Sequence, residues 1–269
     1  MVIRKLENFD LDSIAESGQC FRMNRDKDGT YKIVAYGKVL SARDLGEGEF
    51  SFDCEEGEFN EVWKDYFDLE ENYKKYIDSI PDTDEFLMKA AEVGGGIRIL
   101  RQEPFETLIS FIISQRKSIP AIKKSVESLC SLCGEPLEGG FYAFPRAEDL
   151  IGLSIDELNS CSLGYRSQYV HSAAQMVGSG EIDLERIGEM NDEDLLMELK
   201  SIKGVGTKVA NCVMLFAYHR IGSFPIDVWI KRVIDEIYEG EFPLERYEGF
   251  AGVIQQYMFY YGRNFMKKW

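Results

Sequence analysis

Apolar and polar positions alternate over the first fifty residues, then change period. Tyr31-Lys32-Ile33-Val34 alternates just after Asp28-Gly29, a turn pair that closes hairpins. Short β runs follow at Val39-Leu40 and Phe50-Ser51-Phe52, so the stretch from Ile3 to about Cys54 reads as a small antiparallel sheet. From Glu58 the apolar residues fall three and four apart, and Phe59, Val62, Trp63, Tyr66 and Phe67 predict a helix. The helical period continues from Leu69 to Ile80, stops at Pro81-Asp82-Thr83-Asp84, and resumes with Phe86, Leu87, Ala90 and Val93. Gly94-Gly95-Gly96 punctuates the chain. Beyond it the pattern is helical almost throughout. Pro104 suits a first turn, and Phe105–Ser114 and Ile119–Cys133 read as buried helices. Ser154, Asn191 and Asp227 are N-caps of further helices, and a last one runs from about Tyr247 to Tyr261. The expected fold is α+β: an N-terminal domain over residues 1–95 with a small antiparallel sheet and helices, then an all-α domain over residues 96–269.

Composition narrows the picture. In a chain of 269 residues, 45% hydrophobic and 13% aromatic content supports a large packed core. No apolar run has membrane-span length, and MVIRKLENFD carries no apolar signal core, so a cytoplasmic protein is expected. Six cysteines in so long a chain do not make a disulfide framework. Cys130 and Cys133 form a lone C-x-x-C: either a zinc or redox pair, or two small thiols buried on one helix. The net charge of −16 counts against non-specific binding to nucleic acid, which ordinarily needs a basic surface. Backbone N–H groups at a helix start can also hold phosphate, so the charge does not exclude it.

The stretch from Leu199 to Lys231 carries the chemistry. Gly204-Val205-Gly206 allows a tight turn and close approach of another backbone. A helix starting near Thr207 would aim its free N–H groups into that turn and make an anion site; a plain helix-to-helix turn is the alternative. Lys208 opens an almost wholly apolar segment, Val209 to Ala217. Burial and the positive helix end both favour its neutral amine, a nucleophile able to form a Schiff base; a lysine snorkelling into solvent is the alternative. Asp227 caps the next helix. Backbone donors there would hold its carboxylate rigid and ionised, able to stabilise a developing cation and to move protons to and from the lysine.

Taken together, these residues resemble the helix-hairpin-helix DNA glycosylases, and within them the 8-oxoguanine DNA glycosylase/AP lyase family. The resemblance covers most of the chain. Ser17-Gly18-Gln19-Cys20-Phe21-Arg22 is similar to the family's glycine loop, which implies that the Gly18 carbonyl accepts the N7–H that the oxidised base has and guanine lacks. Gly252-Val253-Ile254-Gln255-Gln256-Tyr257-Met258-Phe259 is similar to its base-pocket helix, with Gln255 on the polar edge of the flipped base and Phe259 stacked on its face. Cys212 would cover the other face. Leu163-Gly164-Tyr165-Arg166 matches the wedge, with Tyr165 in the duplex and Arg166 on the base left behind. The hairpin, Gly204, Val205 and Gly206, would hold the DNA backbone.

The chain departs from that pattern at four places. Arg116 stands where an asparagine helps to fill the emptied stack, and Ala121 where a second arginine reads the opposite cytosine. Trp229 replaces a histidine that contacts phosphate, and Lys203 a hairpin proline. The resemblance implies a monomer acting on double-stranded DNA that contains 8-oxoguanine, away from membranes. It implies excision by Lys208 and Asp227 and a nick by β-elimination. No metal or organic cofactor is expected, and a cation on the hairpin carbonyls would be structural. The competing functions are a glycosylase for another damaged base, against which Gly18, Gln255 and Phe259 argue, and a non-catalytic DNA-binding protein, which the acidity favours.

Overall fold

A computed structural model describes residues 1–266. The chain opens on a five-stranded antiparallel sheet in the order β1-β5-β4-β3-β2. The strands are β1 (Val2–Lys5), β2 (Met23–Arg25), β3 (Tyr31–Ala35), β4 (Lys38–Gly46) and β5 (Glu49–Phe52). Ile33 pairs with Leu40 across β3 and β4, and Val2 with Phe52 across β1 and β5. Tyr36 and Gly37, both at positive φ, make the two-residue turn whose twist suits a hairpin. One face of the sheet buries Met23, Tyr31, Ile33, Leu40, Ala42, Phe50 and Phe52. It packs on helix α1 (Leu11–Glu16) and on a helical run made of Glu56–Glu58, the π-helical Phe59–Trp63 and Lys64–Tyr66. The predicted 3/4 stripe of Phe59, Trp63, Tyr66 and Phe67 is the buried face of that run.

The helix predicted from Leu69 to Ile80 is reduced to Lys74–Ile77. Asp68 sits at φ 51, which ends the preceding run, and its carboxylate is used as a buried hub. It accepts from Tyr73 Oη at 2.9 Å, Arg101 Nη2 at 3.0 Å and His219 Nε2 at 3.2 Å. Burial pushes this carboxyl up, and the His219, Tyr73 and Arg101 contacts more than reverse it, leaving it below its ordinary range.

The helical layer is built from α2 (Glu85–Gly94), α3 (Pro104–Ser114), α4 (Ile119–Cys133), α5 (Arg166–Gly178), α6 (Asp192–Ser201), α7 (Thr207–Phe216), α8 (Val228–Ile237) and α9 (Ala251–Phe265), with shorter turns between them. Ser154, Asn191 and Asp227 all cap through side-chain oxygens. The final helix begins later than its apolar pattern suggests. Leu244–Tyr247 forms a separate 3-10 turn, and Gly249 at φ 84 breaks the chain before Ala251. Cys130 and Cys133 lie on α4 as free thiols, Cys130 fully buried.

Tyr73, Tyr76, Ile80, Leu87, Ala90 and Ala91 pack into the core of the helical layer, so partners change near residue 70, ahead of the triple glycine. That glycine run is a tight joint. A Cβ on Gly96 would lie 2.4 Å from Asp10 Cβ, and one on Gly95 2.5 Å from Ala91 O. Arg98 then threads back between the layers and donates to the carbonyls of Glu7, Asn8, Phe67, Asp68 and Glu71. Five carbonyls satisfy a guanidinium that would otherwise be too costly to bury. This joint places Gly18, far away in sequence, against the last helix.

Candidate active site

The turn between α6 and α7 is as tight as its glycines suggest. Val205 N donates to Ile202 O at 3.0 Å, and Gly204 takes φ 90. A Cβ at Gly204 would meet the Tyr169 ring 2.5 Å away, so the hairpin backbone lies flat on that ring. Gly206 is the N-cap of α7 and offers no side chain, so the first N–H groups of the helix remain open to an anion. Gln115 Nε2 donates to Gly204 O at 3.0 Å and ties the hairpin to the end of α3.

Lys208 occupies the first turn of α7 and is half-buried, less enclosed than its apolar surroundings predict. Its Nζ lies 5.0 Å from the centroid of Phe111, whose ring stacks on Phe216. One turn later Cys212 is buried, and burial pushes its thiol up while the Lys208 charge pulls it back. Asp227 faces the same space from α8. Its carboxylate accepts from Trp229 N at 2.9 Å and Ile230 N at 2.8 Å. Those donors and the Lys208 charge favour the carboxylate, while burial, the largest effect, opposes them and leaves the Asp227 carboxyl above its ordinary value. The segment leading to it is fixed by a stack of Phe224 on Phe242 on Tyr247.

The residues expected at the base pocket come together from both ends of the chain. Gly18 adopts φ 75, and a Cβ there would lie 3.1 Å from Phe259 Cε1 and 3.3 Å from Ile119 Cδ1. Its carbonyl accepts from no donor among the described residues. Gln255, one turn before Phe259, is 3% exposed. Its Nε2 donates to Pro225 O at 3.0 Å, two residues before Asp227. Lys208, Cys212 and Asp227 are thus coupled by charge, Gln255 is bonded two residues before Asp227, and Gly18 lies against Phe259 one turn further along α9.

The residues expected to form the wedge divide. Tyr165 is 51% exposed at the start of α5 and packs edge-on against Tyr169, and so onto the hairpin. Arg116 is exposed in the α3–α4 turn at φ 54. Arg166 is instead only 7% exposed. It donates through Nε to Gln115 O at 2.7 Å and through Nη1 to Leu163 O at 3.0 Å, and lies 4.5 Å from the centroid of Tyr165. In this arrangement it is held by backbone carbonyls beneath the Tyr165 ring. Trp229 is half-buried on α8, with Arg232 over its ring. Three residues of the site carry no sequence signal of their own. Phe111 reads as core, Gln115 as a helix end, and Gln256 follows Gln255 at a spacing where helix side chains do not normally meet.

A glycine hairpin feeding a lysine helix, followed by an aspartate that caps the next one, defines a helix-hairpin-helix protein of base-excision type. Residues 109–242 match the HhH-GPD superfamily base excision DNA repair proteins, and residues 1–108 match the 8-oxoguanine DNA glycosylase N-terminal domain. The chain is similar to MBOgg1, solved with a low-affinity DNA ligand, at 39% identity and a TM-score of 0.93, over 98% of this chain and 96% of that one. It is similar to the Clostridium acetobutylicum 8-oxoguanine glycosylase/lyase, solved with double-stranded DNA containing cytosine opposite 8-oxoG, at 37% identity and a TM-score of 0.91, over 97% and 94% of the two chains. A probable N-glycosylase/DNA lyase of Methanothermobacter thermautotrophicus is 29% identical over 283 residues, which covers 93% of this chain and 85% of that one. The chain belongs to the 8-oxoguanine DNA glycosylase family of the helix-hairpin-helix superfamily.

Proposed function

We infer that the protein is a bifunctional 8-oxoguanine DNA glycosylase and AP lyase. The observation that carries the chemistry is the half-buried Lys208 amine above Phe111, sharing one space with Cys212 and with a capping Asp227 whose carboxyl burial has raised. The open N–H groups after Gly204-Val205-Gly206 hold a phosphate beside the lesion, with Trp229 flanking the grip. Tyr165 enters the duplex, and Arg116 fills the space beside it. Extruding a base costs a few kcal/mol of pairing and stacking, which those side chains offset.

The flipped base stacks between Phe259 and Cys212. Gly18 O accepts its N7–H, and Gln255 bonds its polar edge. Lys208 Nζ forms a bond to C1′ as the bond from C1′ to the base nitrogen breaks, and that electron pair leaves with the base. Asp227 stabilises the cationic sugar and takes the proton released by the lysine, which a raised carboxyl suits. Opening of the sugar gives a Schiff base, loss of a C2′ proton follows, and β-elimination expels the 3′ phosphate. Every group in this sequence belongs to one copy of the chain, which is proposed to act as a monomer on cytoplasmic DNA. No helix among the described residues is long and apolar enough to cross a membrane.

Borohydride reduction tests the reading. A duplex carrying 8-oxoguanine should be trapped covalently by the wild type and not by Lys208→Gln. Trapping by the glutamine variant would remove Lys208 from the chemistry. Binding without trapping by the wild type would leave a DNA-binding protein without lyase chemistry.

A further inference from the structure

Gln255 and Gln256 are adjacent on α9, and each is 3% exposed. Neighbouring helix positions point about 100° apart and do not ordinarily touch. Here Gln256 Nε2 donates to Gln255 Oε1 at 2.9 Å, while Gln255 Nε2 donates to Pro225 O at 3.0 Å. A carbonyl such as Pro225 O can only accept, so the nitrogen of Gln255 must face it. The oxygen of Gln255 is then turned toward Gln256, which has to meet it with a donor. The remaining oxygen, Gln256 Oε1, is buried with no partner. An aliphatic residue at 256 would avoid that cost. The position bears it, and the bond it makes goes to Gln255.

We propose that Gln256 is a positioning residue that sets base specificity by fixing which way round the Gln255 amide is held. The inference rests on the reading that Gln255 holds the flipped base. A fixed amide offers one N–H and one lone pair in a set order. A guanine-type edge presents an acceptor at O6 beside a donor at N1, and an adenine-type edge presents a donor at N6 beside an acceptor at N1. An amide free to turn through a half rotation would match either edge. Gly18 cannot make this distinction, because 8-oxoadenine carries the same N7–H as 8-oxoguanine. Rejection of oxidised adenine therefore falls to the polarity of Gln255, and Gln256 and Pro225 hold that polarity from opposite sides.

The experiment measures single-turnover excision of 8-oxoguanine and of 8-oxoadenine from matched duplexes. Rates are normalised to cleavage at a preformed abasic site, which needs Lys208 but no base and so counts folded enzyme. Gln256→Leu removes the donor, and the preference for 8-oxoguanine should fall by about tenfold or more. Gln256→Glu gives a second, graded test. Its ionised carboxylate faces Gln255 Oε1 with acceptors only, so the preference should shrink further as pH rises and the carboxyl deprotonates. A purely structural role for Gln256 would move neither the preference nor its pH dependence. An unchanged preference in both variants, with Gln255→Ala abolishing it, would overturn the proposal alone. Wild-type excision by Gln255→Ala would instead remove the underlying reading of Gln255.

Discussion

Replacing Asp227 by asparagine separates the structural and chemical tasks of one side chain. Its carboxylate satisfies two of the free amides at the start of α8, those of Trp229 and Ile230. Asparagine caps about as well, whereas alanine forfeits about 1 kcal/mol and up to about 2. The carboxyl is raised by burial, against the Ile230 amide, the Lys208 charge and the Trp229 amide. A raised native value means that the folded chain keeps a proton the unfolded chain has lost. The stability from this group is therefore complete below the unfolded value of about 3.9 and is lost as pH rises through the raised native value. Above that window the wild type carries a buried charge that asparagine lacks. Asp227→Asn should thus be at least as stable as the wild type at about pH 8, and should gain on it as pH rises from about 4. Asp227→Ala should lie about 1 kcal/mol below Asp227→Asn throughout, because only the cap separates them. Urea denaturation across pH gives the stabilities, and single-turnover excision gives the chemistry. Excision should fall by about a hundredfold or more in both variants, as expected for loss of a preorganised electrostatic group. An Asp227→Asn protein less stable than the wild type at alkaline pH would refute the reasoning, since the charge would then be supporting the fold. Retained excision would refute the catalytic assignment separately.

Three further outcomes are expected. Gly204→Ala forces a side chain into φ 90 with a Cβ 2.5 Å from Tyr169, so it should cost about 1–2 kcal/mol of backbone strain plus the clash; it should weaken binding to lesion and undamaged duplex alike, and a loss confined to lesion DNA would count against a phosphate role. Burial pushes the Glu106 carboxyl up to about 8, with Arg22 pulling it down and Glu103 and Glu127 pushing it further up. Its contribution is complete below the ordinary carboxyl value of about 4.3 and is lost as pH rises toward that native value, so Glu106→Gln should flatten the fall of the denaturation midpoint across this window; an unaltered slope would show that another group titrates. With Ala121 in place of an arginine, and Arg166 held by Gln115 O and Leu163 O, excision should depend little on the opposite base; rates opposite each of the four bases measure this, and a strong cytosine preference would refute it.

The sequence was most informative where one residue meets one local rule. Asp28-Gly29, the caps at Ser154, Asn191 and Asp227, and the 3/4 stripe from Phe59 to Phe67 each report a backbone event within a few residues of themselves. It was less informative where a local pattern competes with a distant contact. Leu69 to Ile80 has a helical period, but Asp68 is drawn into a hydrogen-bonded cluster with Tyr73, Arg101 and His219, and its left-handed backbone leaves only one helical turn behind it. Asp227 shows the same limit in the site. Its cap was legible, but the burial that raises its carboxyl is a tertiary property that sequence spacing does not measure. Arg166 read as a contact to the base left behind, through the resemblance of Leu163-Gly164-Tyr165-Arg166 to the family's wedge. That it is held by the end of α3, fifty-one positions earlier, is a tertiary fact.

The acidity of the chain and the proposed grip on DNA are reconciled by the kind of donor the hairpin offers. Asp44, Glu47, Glu49, Asp53, Glu55 and Glu56 are all exposed, but they belong to the sheet and the start of the helical run after it. Asp192, Glu193 and Asp194 crowd the first turn of α6, where they complement the positive end of that helix. At the start of α7 the arrangement is reversed. Gly206 supplies no side-chain cap and no acidic residue occupies the first turn. A phosphate there would meet oriented N–H dipoles, which need no net positive surface to be attractive and which a distant carboxylate perturbs little beyond a Debye length of about 8–10 Å. Net charge sums over the whole surface, whereas this grip depends on the few ångströms around one helix end. A chain can therefore carry −16 and still present DNA with a locally positive hairpin. The lysine that completes that hairpin is also the proposed nucleophile, so holding the backbone and placing the amine at C1′ become consequences of one turn of helix.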